Sequence, residues 1–363
     1  MPLSNMQKMK LRRWFWITVS WMLVALFHVL YDYLTLANYA AGLPVQFSLS
    51  TELLIKLPAA LLAGLVAAWV LVFRWEKLFG TRSFVQAVLN AVALYFGSML
   101  VLCTLGIWMM KGVGTDVGLF SGEAVLETIN FLTGPEFVKL LLFWGGVFVL
   151  TIFVMMANDK YGPGQARALL LGKYFNPRKE QRIFMFLDIR SSTTIAEQLG
   201  EEKYFGFVSD FFRDITSPVL AARGEFYQYV GDEAVISWKM HRGLSNANCL
   251  RCFFAIQDHI ASKANHYQQA YGVVPEFKAG VHAGPVTAGE IGVVKKDVVF
   301  SGDVLNTTAR IQAECNKLGS DLLVSNELLN QIDRIDGLAV RSVGELELRG
   351  KSKPVAISAV SLA

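Results

Sequence analysis

The chain has 363 residues, of which 53% are hydrophobic and only 18% are charged, a composition too apolar for a pair of ordinary soluble domains. A formal net charge of +4 fits basic residues that anchor a membrane protein on its cytoplasmic side, and we expect no nucleic-acid partner. The one Cys-x-x-Cys pair, Cys249 and Cys252, falls within a helical pattern and has no second pair. We therefore interpret these residues as packing thiols and not as a zinc or redox site.

The first half of the chain contains four apolar runs, each long enough for a membrane-spanning helix of about 20 residues. We predict spans near 14–36, 55–74, 83–110 and 138–158, within a transmembrane region of residues 1–158. The first run is rich in Trp and Phe and lacks a small-residue cleavage site, so we do not expect a cleaved signal peptide. The lipid bilayer is therefore an expected partner.

Basic residues mark three of the segments around these spans. They stand before the first span, between the second and the third, and after the fourth, whereas the other two loops have no such excess. Because Lys and Arg are retained on the cytoplasmic side, this pattern predicts a multi-pass protein of the cell inner membrane. Its N-terminus and its whole second half are then both cytoplasmic.

Two features of the membrane region are candidates for function. His28 and Asp32 lie one helical turn apart near the outer end of the first span. Since that span can end at Tyr31, we interpret them as an interfacial pair; a transporter with a regulatory domain would need them inside the span. The loop 119–132 has an apolar pattern and is the best candidate for an external sensing surface.

A coupling linker is predicted at 159–181. The sequence Tyr-Gly-Pro-Gly (161–164) breaks the helix of the fourth span, and 165–175 is typical of a short helix that Pro177 stops. Such a helix either lies on the membrane surface or pairs with its copy in a dimer.

Strand and helix patterns alternate over residues 182–363, which predicts one α/β domain after the membrane α-helical bundle. Separate strands are expected at 276–282 and 286–291. The helical segment 197–222 has apolar residues at core-facing spacing: Phe205, Val208, Phe211 and Phe212.

A buried strand that ends in a carboxylate is the first chemical feature of this domain. Residues 183–187 are continuously apolar, as in a strand covered on both faces, and Asp188 follows them. Ser191 and Ser192 are N-cap candidates for the next helix. A carboxylate beside free helix N–H groups suits a metal ion and the phosphates that it binds. Taken alone, Asp188 equally fits a simple helix cap.

Two further stretches add polar groups. Gly231-Asp232 is a hairpin-turn signal between two β-rich runs. If that hairpin pairs beside the first strand, Asp232 comes close to Asp188, and the two carboxylates repel each other unless a divalent cation lies between them. Asn306 and Arg310 are four residues apart on a predicted helix and share one face. An amide and a guanidinium together suit a ribose and a phosphoryl group.

In combination, these stretches resemble the catalytic domains of the class III nucleotidyl cyclases, the adenylate and guanylate cyclases. The resemblance extends over about half of the chain. The matching motifs are Phe-Leu-Asp-Ile-Arg-Ser-Ser (186–192), Tyr-Val-Gly-Asp-Glu (229–233), Lys-Ala-Gly-Val-His-Ala-Gly-Pro-Val (278–286), Gly-Asp-Val-Leu-Asn-Thr-Thr-Ala-Arg (302–310) and Arg-Gly-Lys-Ser-Lys-Pro-Val (349–355).

The resemblance implies a ferredoxin-like class III cyclase fold and an intramolecular reaction. The ribose 3′-hydroxyl of a nucleoside triphosphate attacks its own α-phosphorus, and pyrophosphate leaves. Two Mg²⁺ or Mn²⁺ ions per site are implied, held by Asp188, Asp232 and the Ile189 carbonyl. Asn306 is implied to orient the ribose, and Arg310 to stabilise the pentavalent phosphorus.

The resemblance also implies a phosphate site and a homodimer. Ser191 and Ser192 begin the helix whose backbone N–H groups would hold the β- and γ-phosphates. Lys351 and Lys353 would contact the terminal phosphates. In this family the metal carboxylates and the Asn/Arg pair come from different subunits, so a chain with one catalytic domain is expected to form a homodimer through it.

The base-recognition positions depart from the family pattern. Adenylate-type members usually carry Lys at the position of Gln228 and Asp or Thr at that of Val299, whereas guanylate-type members carry Glu and Cys. The amide of Gln228 can donate and accept, so it suits several bases. Adenylate cyclase is our first prediction, because it is the commonest activity of bacterial members. A guanylate cyclase, or a pyrimidine cyclase as in phage defence, is the alternative.

An alternative function without catalysis is that of a membrane receptor with a degenerate, inactive cyclase domain. Degenerate copies often lose a metal carboxylate or the Asn/Arg pair, and this chain retains all four side chains. We therefore favour the enzyme.

Overall fold

The computed structural model describes residues 5–39, 49–74, 84–114, 122–161, 172–294, 296–347 and 354–363. It divides into two compact units, Met1–Lys160 and Tyr161–Ala363. Each unit contains a hydrophobic core of its own.

The described residues of the first unit are helical except for the bend at Gly134. Its helices are α1 (Asn5–Tyr39), α2 (Leu49–Trp69, continued by the π-helical turn Val70–Arg74), α3 (Phe84–Gly114), α4 (Gly122–Thr133) and α5 (Pro135–Tyr161). Four stretches in them are long and apolar enough to cross a membrane: Gln7–Thr35, Glu52–Arg74, Val88–Gly106 and Pro135–Asp159. They coincide with the four predicted runs. Helix α4 covers most of the loop predicted at 119–132, and its 12 residues are too few to span a bilayer.

A small aromatic core joins α1, α2, α3 and α5. Tyr95 stacks on Phe148 with ring centroids 5.0 Å apart, and the Trp21 indole N–H donates to the Thr151 hydroxyl at 3.1 Å. Large apolar side chains also point outward, such as Phe153, which is 68% exposed. An outward apolar surface of this kind fits helices that are surrounded by lipid tails.

His28 and Asp32 are both buried against neighbouring helices, whereas their interfacial position remains a prediction. The Asp32 carboxylate accepts from Lys56 of α2 at 3.0 Å and from Lys139 of α5 at 3.2 Å. His28 lies 3.4 Å from the same carboxylate and packs on Phe143. The two lysines come from sequence-distant helices, so the pattern of the first span alone did not reveal that Asp32 has these partners.

The second unit is built on one mixed sheet in the order β2-β3-β1-β4-β6-β8-β7, with β5 paired to β4. Among the described strands, β4 and β6 pair in parallel and the other neighbours are antiparallel. The strands are β1 (Arg178–Ile189), β2 (Glu225–Val230), β3 (Glu233–Lys239), β4 (Phe277–Ile291), β5 (Asp297–Ser301), β6 (Leu322–Ser325), β7 (Leu338–Leu346) and β8 (Val355–Leu362).

Helices cover both faces of this sheet. They are α6 (Ser192–Leu199), α7 (Glu201–Ala221), α8 (Met240–Leu244), α9 (Asn248–Ser262), α10 (Ala264–Tyr271), α11 (Asp303–Ala313) and α12 (Asn326–Leu329), with a 3₁₀ turn at Ser245–Ala247. Cys249 and Cys252 are buried free thiols in α9, and burial raises the pKa of the Cys249 thiol to about 12. Such thiols are inert packing groups, in agreement with their interpretation from the sequence.

Strand β1 lies at the centre of the sheet and is buried on both faces. Ile183, Met185 and Leu187 face the core under α7 and α9, whereas Phe184 and Phe186 face a second core that includes α11. The two sets alternate because successive side chains of a strand point to opposite faces. A continuously apolar run therefore ends at Asp188 with the carboxylate at the edge of the core.

Three details differ from the predictions. Strand β4 runs unbroken through Gly284 and Pro285, because its pairing with β1 continues on both sides of the proline. Phe205 is 76% exposed, and Phe207 occupies the core instead. The helix predicted at 165–175 lies mainly outside the described residues, and its described end is a turn.

Strand β1 begins at Arg178, within the segment predicted as linker. The turn before it is anchored to the sheet, because Tyr174 is buried among Phe184, Phe300 and their neighbours. The Tyr174 carbonyl also accepts from the Glu290 N–H of β4 at 3.1 Å.

Candidate active site

Strand pairing brings the carboxylates of the candidate site together. Asp188 is the penultimate residue of β1, and in the sheet it stands opposite Glu233 of β3 and Lys278 of β4. Asp232 precedes Glu233 in the two-residue turn between β2 and β3, where Gly231 adopts a positive φ of 62°. The predicted hairpin beside the first strand is therefore present, and Asp232 acts electrostatically on Asp188.

Two side chains that the sequence did not single out bind Asp188. The Gln312 amide of α11 donates to its Oδ2 at 2.9 Å, and the Lys278 Nζ lies 3.4 Å from the same oxygen. Gly280 makes the first contact feasible, since a Cβ at this position would lie 2.8 Å from the Cα of Gln312. Asp188 is thus held from β4 and from α11 by one of its two oxygens.

Burial and mutual repulsion disfavour the ionised carboxylates here. Burial, followed by the charge of Asp232, raises the pKa of Asp188. Burial, followed by the charges of Asp188 and Asp232, raises the pKa of Glu233 to about 7. A divalent cation would relieve both effects, because Lys278 alone supplies one positive charge against three carboxylates.

The residues at this position fit a divalent cation. Two aspartates at adjoining strand ends offer hard oxygen ligands, which Mg²⁺ and Mn²⁺ prefer. Among the residues that the structure describes, no group of three or more His, Cys, Asp or Glu side chains is arranged to hold a metal ion. A metal here would therefore rely on the two aspartates, on backbone oxygen such as the Ile189 carbonyl, and on substrate phosphates.

The predicted phosphate-binding serines lie directly after β1. Ser191 is the N-cap of α6 but adopts a left-handed φ of 54° and makes no capping hydrogen bond through its side chain. Ser192 is the first residue of α6. The N-terminus of α6 therefore stands next to the carboxylate pair. Lys351 and Lys353, the other predicted phosphate ligands, lie outside the described residues.

An open cleft of about 760 Å³ adjoins Asp232. It is formed by α6, α7 and the turn between β2 and β3, and Tyr204, Phe212 and Tyr229 line it. Burial, and then the charge of Asp232, raises the pKa of Tyr204. The cleft carries aromatic surface directly beside the carboxylate pair.

Helix α11 presents its polar residues on two sides. Asn306 and Arg310 are exposed, whereas Thr308, Ile311 and Gln312 are buried against the sheet. Within one chain, the structure therefore brings Asp188 and Asp232 together and turns the exposed Asn306 and Arg310 away from the side of α11 that carries Gln312. Asp303 is the first residue of this helix and not its cap, which is Gly302.

The two predicted base-recognition residues lie on different strands. Gln228 is exposed on the edge strand β2, next to a β-bulge, and Val299 lies on β5 opposite Gly289. Their neighbours in sequence are joined, because the Tyr227 hydroxyl accepts from the Phe300 N–H at 3.2 Å.

Sequence reasoning missed Gln312, Lys278 and Glu233 as members of the site. The signal for Glu233 and Lys278 was available, since both fall within matched motifs and face Asp188 once the strand order is known. No local signal marks Gln312, because its contact depends on where α11 packs across the sheet.

Residues 176–358 match the family model of the adenylate and guanylate cyclase catalytic domain. The chain belongs to this family. Adenylate cyclase 2 of Rhizobium meliloti (strain 1021) is 35% identical over 206 residues, which cover 57% of this chain and 57% of that protein. Guanylate cyclase D of Mus musculus is 26% identical over 193 residues, 52% of this chain and 17% of that protein. The cyclase chain thus spans only part of each relative's length.

Solved structures confirm the predicted fold of the cyclase domain. A bacterial light-regulated adenylyl cyclase matches with a TM-score of 0.52 and 19% sequence identity, over 64% of this chain and 66% of that one. The sheet with helices on both faces is thus a class III cyclase fold, and four candidate membrane helices precede it.

Proposed function

We propose that this protein is a membrane-bound nucleotidyl cyclase that converts a nucleoside triphosphate, ATP foremost, to the 3′,5′-cyclic nucleotide and pyrophosphate. The observation that carries this proposal is the pairing of β1 with the β2–β3 hairpin, which brings Asp188 and Asp232 together beside the N-terminus of α6. Residues 182–363 would form the catalytic domain, 159–181 the coupling linker and 1–158 the membrane region.

Asp188, Asp232 and the Ile189 carbonyl would hold two Mg²⁺ or Mn²⁺ ions. The ions, when bound, lower the pKa of the ribose 3′-hydroxyl and neutralise charge on the transferring phosphoryl group. Gln312 and Lys278 keep the Asp188 carboxylate in one orientation. The N–H groups at Ser191 and Ser192 would bind the β- and γ-phosphates, aided by Lys351 and Lys353.

Helix α11 would supply the residues that bind the ribose and the α-phosphoryl group. Asn306 would orient the ribose, and the Arg310 guanidinium would stabilise charge on the α-phosphoryl group as the 3′-oxygen attacks and pyrophosphate departs. No covalent intermediate with the enzyme is needed, because nucleophile and leaving group belong to one substrate. Positioning and charge neutralisation therefore account for the catalysis.

A homodimer would complete the site. A helix rotates by about 100° per residue, so residues two positions apart point in nearly opposite directions. Arg310 therefore points away from the Asp188 that Gln312 of the same helix binds. A second copy would bring its Asn306 and Arg310 to Asp188 and Asp232 of the first, and two-fold symmetry then gives two composite sites.

Adenine is our first choice of base, supported by the 35% identity to a protein named adenylate cyclase 2. Guanine is the second candidate, favoured by the match to a guanylate cyclase and by the capacity of Gln228 to donate as well as accept. The candidate spans and the basic segments beside them support an inner-membrane protein with the catalytic domain and the N-terminus in the cytoplasm.

The experiment is a competition assay on purified full-length protein. ATP, GTP, CTP and UTP are supplied together with Mn²⁺, and the cyclic products are resolved by mass spectrometry. We expect cyclic AMP to dominate, Asp188→Ala to abolish product, and Asp258→Ala, an exposed carboxylate on α9, to leave it unchanged. No product from any nucleotide would instead favour an inactive receptor.

Subunit mixing tests the composite site. Asp188→Ala and Arg310→Ala are each expected to be inactive. When the two are co-expressed, half of the dimers contain one intact site, and about a quarter of the wild-type activity returns. If mixing restores nothing, the two groups of residues act within one chain.

A further inference from the structure

Tyr227 occupies an unusual position on the edge strand β2. The register of β2 against β3 shifts between Phe226 and Gln228, so Tyr227 is the extra residue of a β-bulge. Bulges bend a strand and re-aim the side chains next to them. The re-aimed neighbour here is Gln228, one of the two residues to which we assign base recognition.

The Tyr227 side chain connects two strands that do not pair. Strand β2 pairs with β3, and β5 pairs with β4. The Tyr227 hydroxyl accepts a hydrogen bond from the Phe300 N–H at 3.2 Å, and the two rings lie 4.9 Å apart at 55°. That N–H belongs to the peptide group between Val299 and Phe300. Its hydrogen bond therefore fixes the orientation of the backbone at Val299, the other base-recognition residue.

The surroundings make this connection rigid. Phe184 of the central strand packs against both rings, at 6.3 Å from Tyr227 and 5.7 Å from Phe300. The Arg182 guanidinium lies 4.4 Å over the Phe300 ring and is itself bound to Glu225 at the start of β2. Both ends of the Tyr227–Phe300 contact are thus attached to β1.

We propose that Tyr227 is a positioning residue for base recognition, which sets the spacing between Gln228 and Val299 through its hydrogen bond to the Phe300 N–H. The inference rests on the proposed cyclase function and adds a determinant of its base selectivity. Tyr227 itself does not touch the base. The bulge at Tyr227 orients Gln228, and the Tyr227 hydroxyl binds the peptide N–H that follows Val299. The distance between Gln228 and Val299 therefore depends on one hydroxyl group.

The test compares Tyr227→Phe with Tyr267→Phe in the full-length protein. The first variant removes only the hydroxyl that binds Phe300. The second removes a hydroxyl that donates to Asp214 at 2.9 Å, within the core that Tyr267 shares with α7 and α9, and not the core around Phe300. Steady-state kinetics with each of the four nucleoside triphosphates give kcat and KM. Calorimetry with the 3′-deoxy nucleoside triphosphates, which cannot cyclise, gives affinities without turnover.

In Tyr227→Phe we expect the ratio of kcat/KM between the best and second-best nucleotide to fall about 3- to 10-fold, the range that one hydrogen bond accounts for. The change lies in KM and in the 3′-deoxy affinities, while kcat for the best nucleotide stays within about 2-fold. Tyr267→Phe loses comparable thermal stability but retains the wild-type ratio.

The inference is overturned if Tyr227→Phe keeps the wild-type ratios, or if both variants change them equally, since Tyr227 then contributes only to stability. Failure of the proposed function looks different. If the wild type forms no cyclic product but binds the 3′-deoxy nucleotides selectively, the cyclase proposal fails and the affinity ratios still decide the role of Tyr227. If the wild type binds none of them, both proposals fail.

Discussion

Replacing Gly280 by alanine should displace the helix that carries the proposed ribose and phosphoryl ligands. A Cβ at this position of β4 would lie 2.8 Å from the Gln312 Cα and 2.8 Å from the Thr308 carbonyl oxygen, and closer still to the Gln312 backbone nitrogen. All three contacts are with the backbone of α11, which no rotamer change relieves. Ordinary contacts begin at 3.4 Å, so α11 must move outward by more than about 0.6 Å.

That movement has two measurable consequences. Overpacking of a well-filled core costs about 1–3 kcal/mol, which we expect as a lower melting temperature of the cyclase unit. A misplacement of about 1 Å can cost 100-fold in rate, so a shift of more than about 0.6 Å at Asn306 and Arg310 should lower kcat/KM by about 10-fold or more. The assay combines thermal melting with cyclic-nucleotide formation under Mn²⁺.

Gly289 supplies the matched control on the same strand. A Cβ there meets nothing closer than 3.5 Å, so Gly289→Ala should be neutral or slightly stabilising, because it only removes backbone freedom from the unfolded chain. The reasoning is refuted if Gly280→Ala melts and turns over like Gly289→Ala. It is also refuted if Gly280→Ala is destabilised but keeps full kcat/KM, since the activity would then not depend on the observed position of α11.

Three further outcomes concern the sheet around Asp188. The pKa of Glu233 is raised from 4.5 to about 7, so its stabilising contribution is complete below pH 4.5 and is lost as the pH rises through 7. Metal-free Glu233→Gln should therefore be more stable than the wild type at pH 8 by about 2–3 kcal/mol and similar at pH 4.5. Melting curves in EDTA at the two pH values measure this difference in stability. The same pH-dependent difference for the exposed Glu197→Gln would contradict its assignment to Glu233. Arg182→Met removes a buried guanidinium that binds both Glu180 and Glu225, while Lys173 and Arg242 still contact these carboxylates. The loss of charged hydrogen bonds should cost about 1.5–3 kcal/mol, against little for the exposed Arg178→Met; equal melting temperatures would contradict this expectation. Gln312→Leu should weaken Mn²⁺ binding about 10- to 100-fold by calorimetry, and an unchanged affinity would remove Gln312 from the support of Asp188.

The parts of the site that local patterns specify were predictable. The apolar run before Asp188 requires a strand buried on both faces, and Gly231-Asp232 requires a hairpin, so the meeting of the two carboxylates needed only the assumption that these strands pair. The spacing of Asn306 and Arg310 likewise placed both residues on one exposed side of a helix.

What remained hidden depends on packing between distant elements. Phe205 and Phe207 are equally apolar, and only the angle at which α7 lies on the sheet decides that Phe207 is buried and Phe205 exposed. Pro285 suggested a strand break, yet β4 continues through it because pairing with β1 resumes on either side. The partners of Asp32 come from α2 and α5, and no pattern within α1 indicates them.

The placement of α11 links the two halves of the proposed mechanism. Gly280 lets this helix approach β4 closely enough for Gln312 to bind Asp188 at 2.9 Å, which orients the proposed metal ligand of one composite site. The opposite side of the same helix presents Asn306 and Arg310, which in a two-fold dimer would serve the other site. A helix is a rigid body over its 11 residues. Binding of nucleotide to Arg310 at one site would therefore bear directly on the carboxylate at the other, and the two sites of the dimer would not act independently.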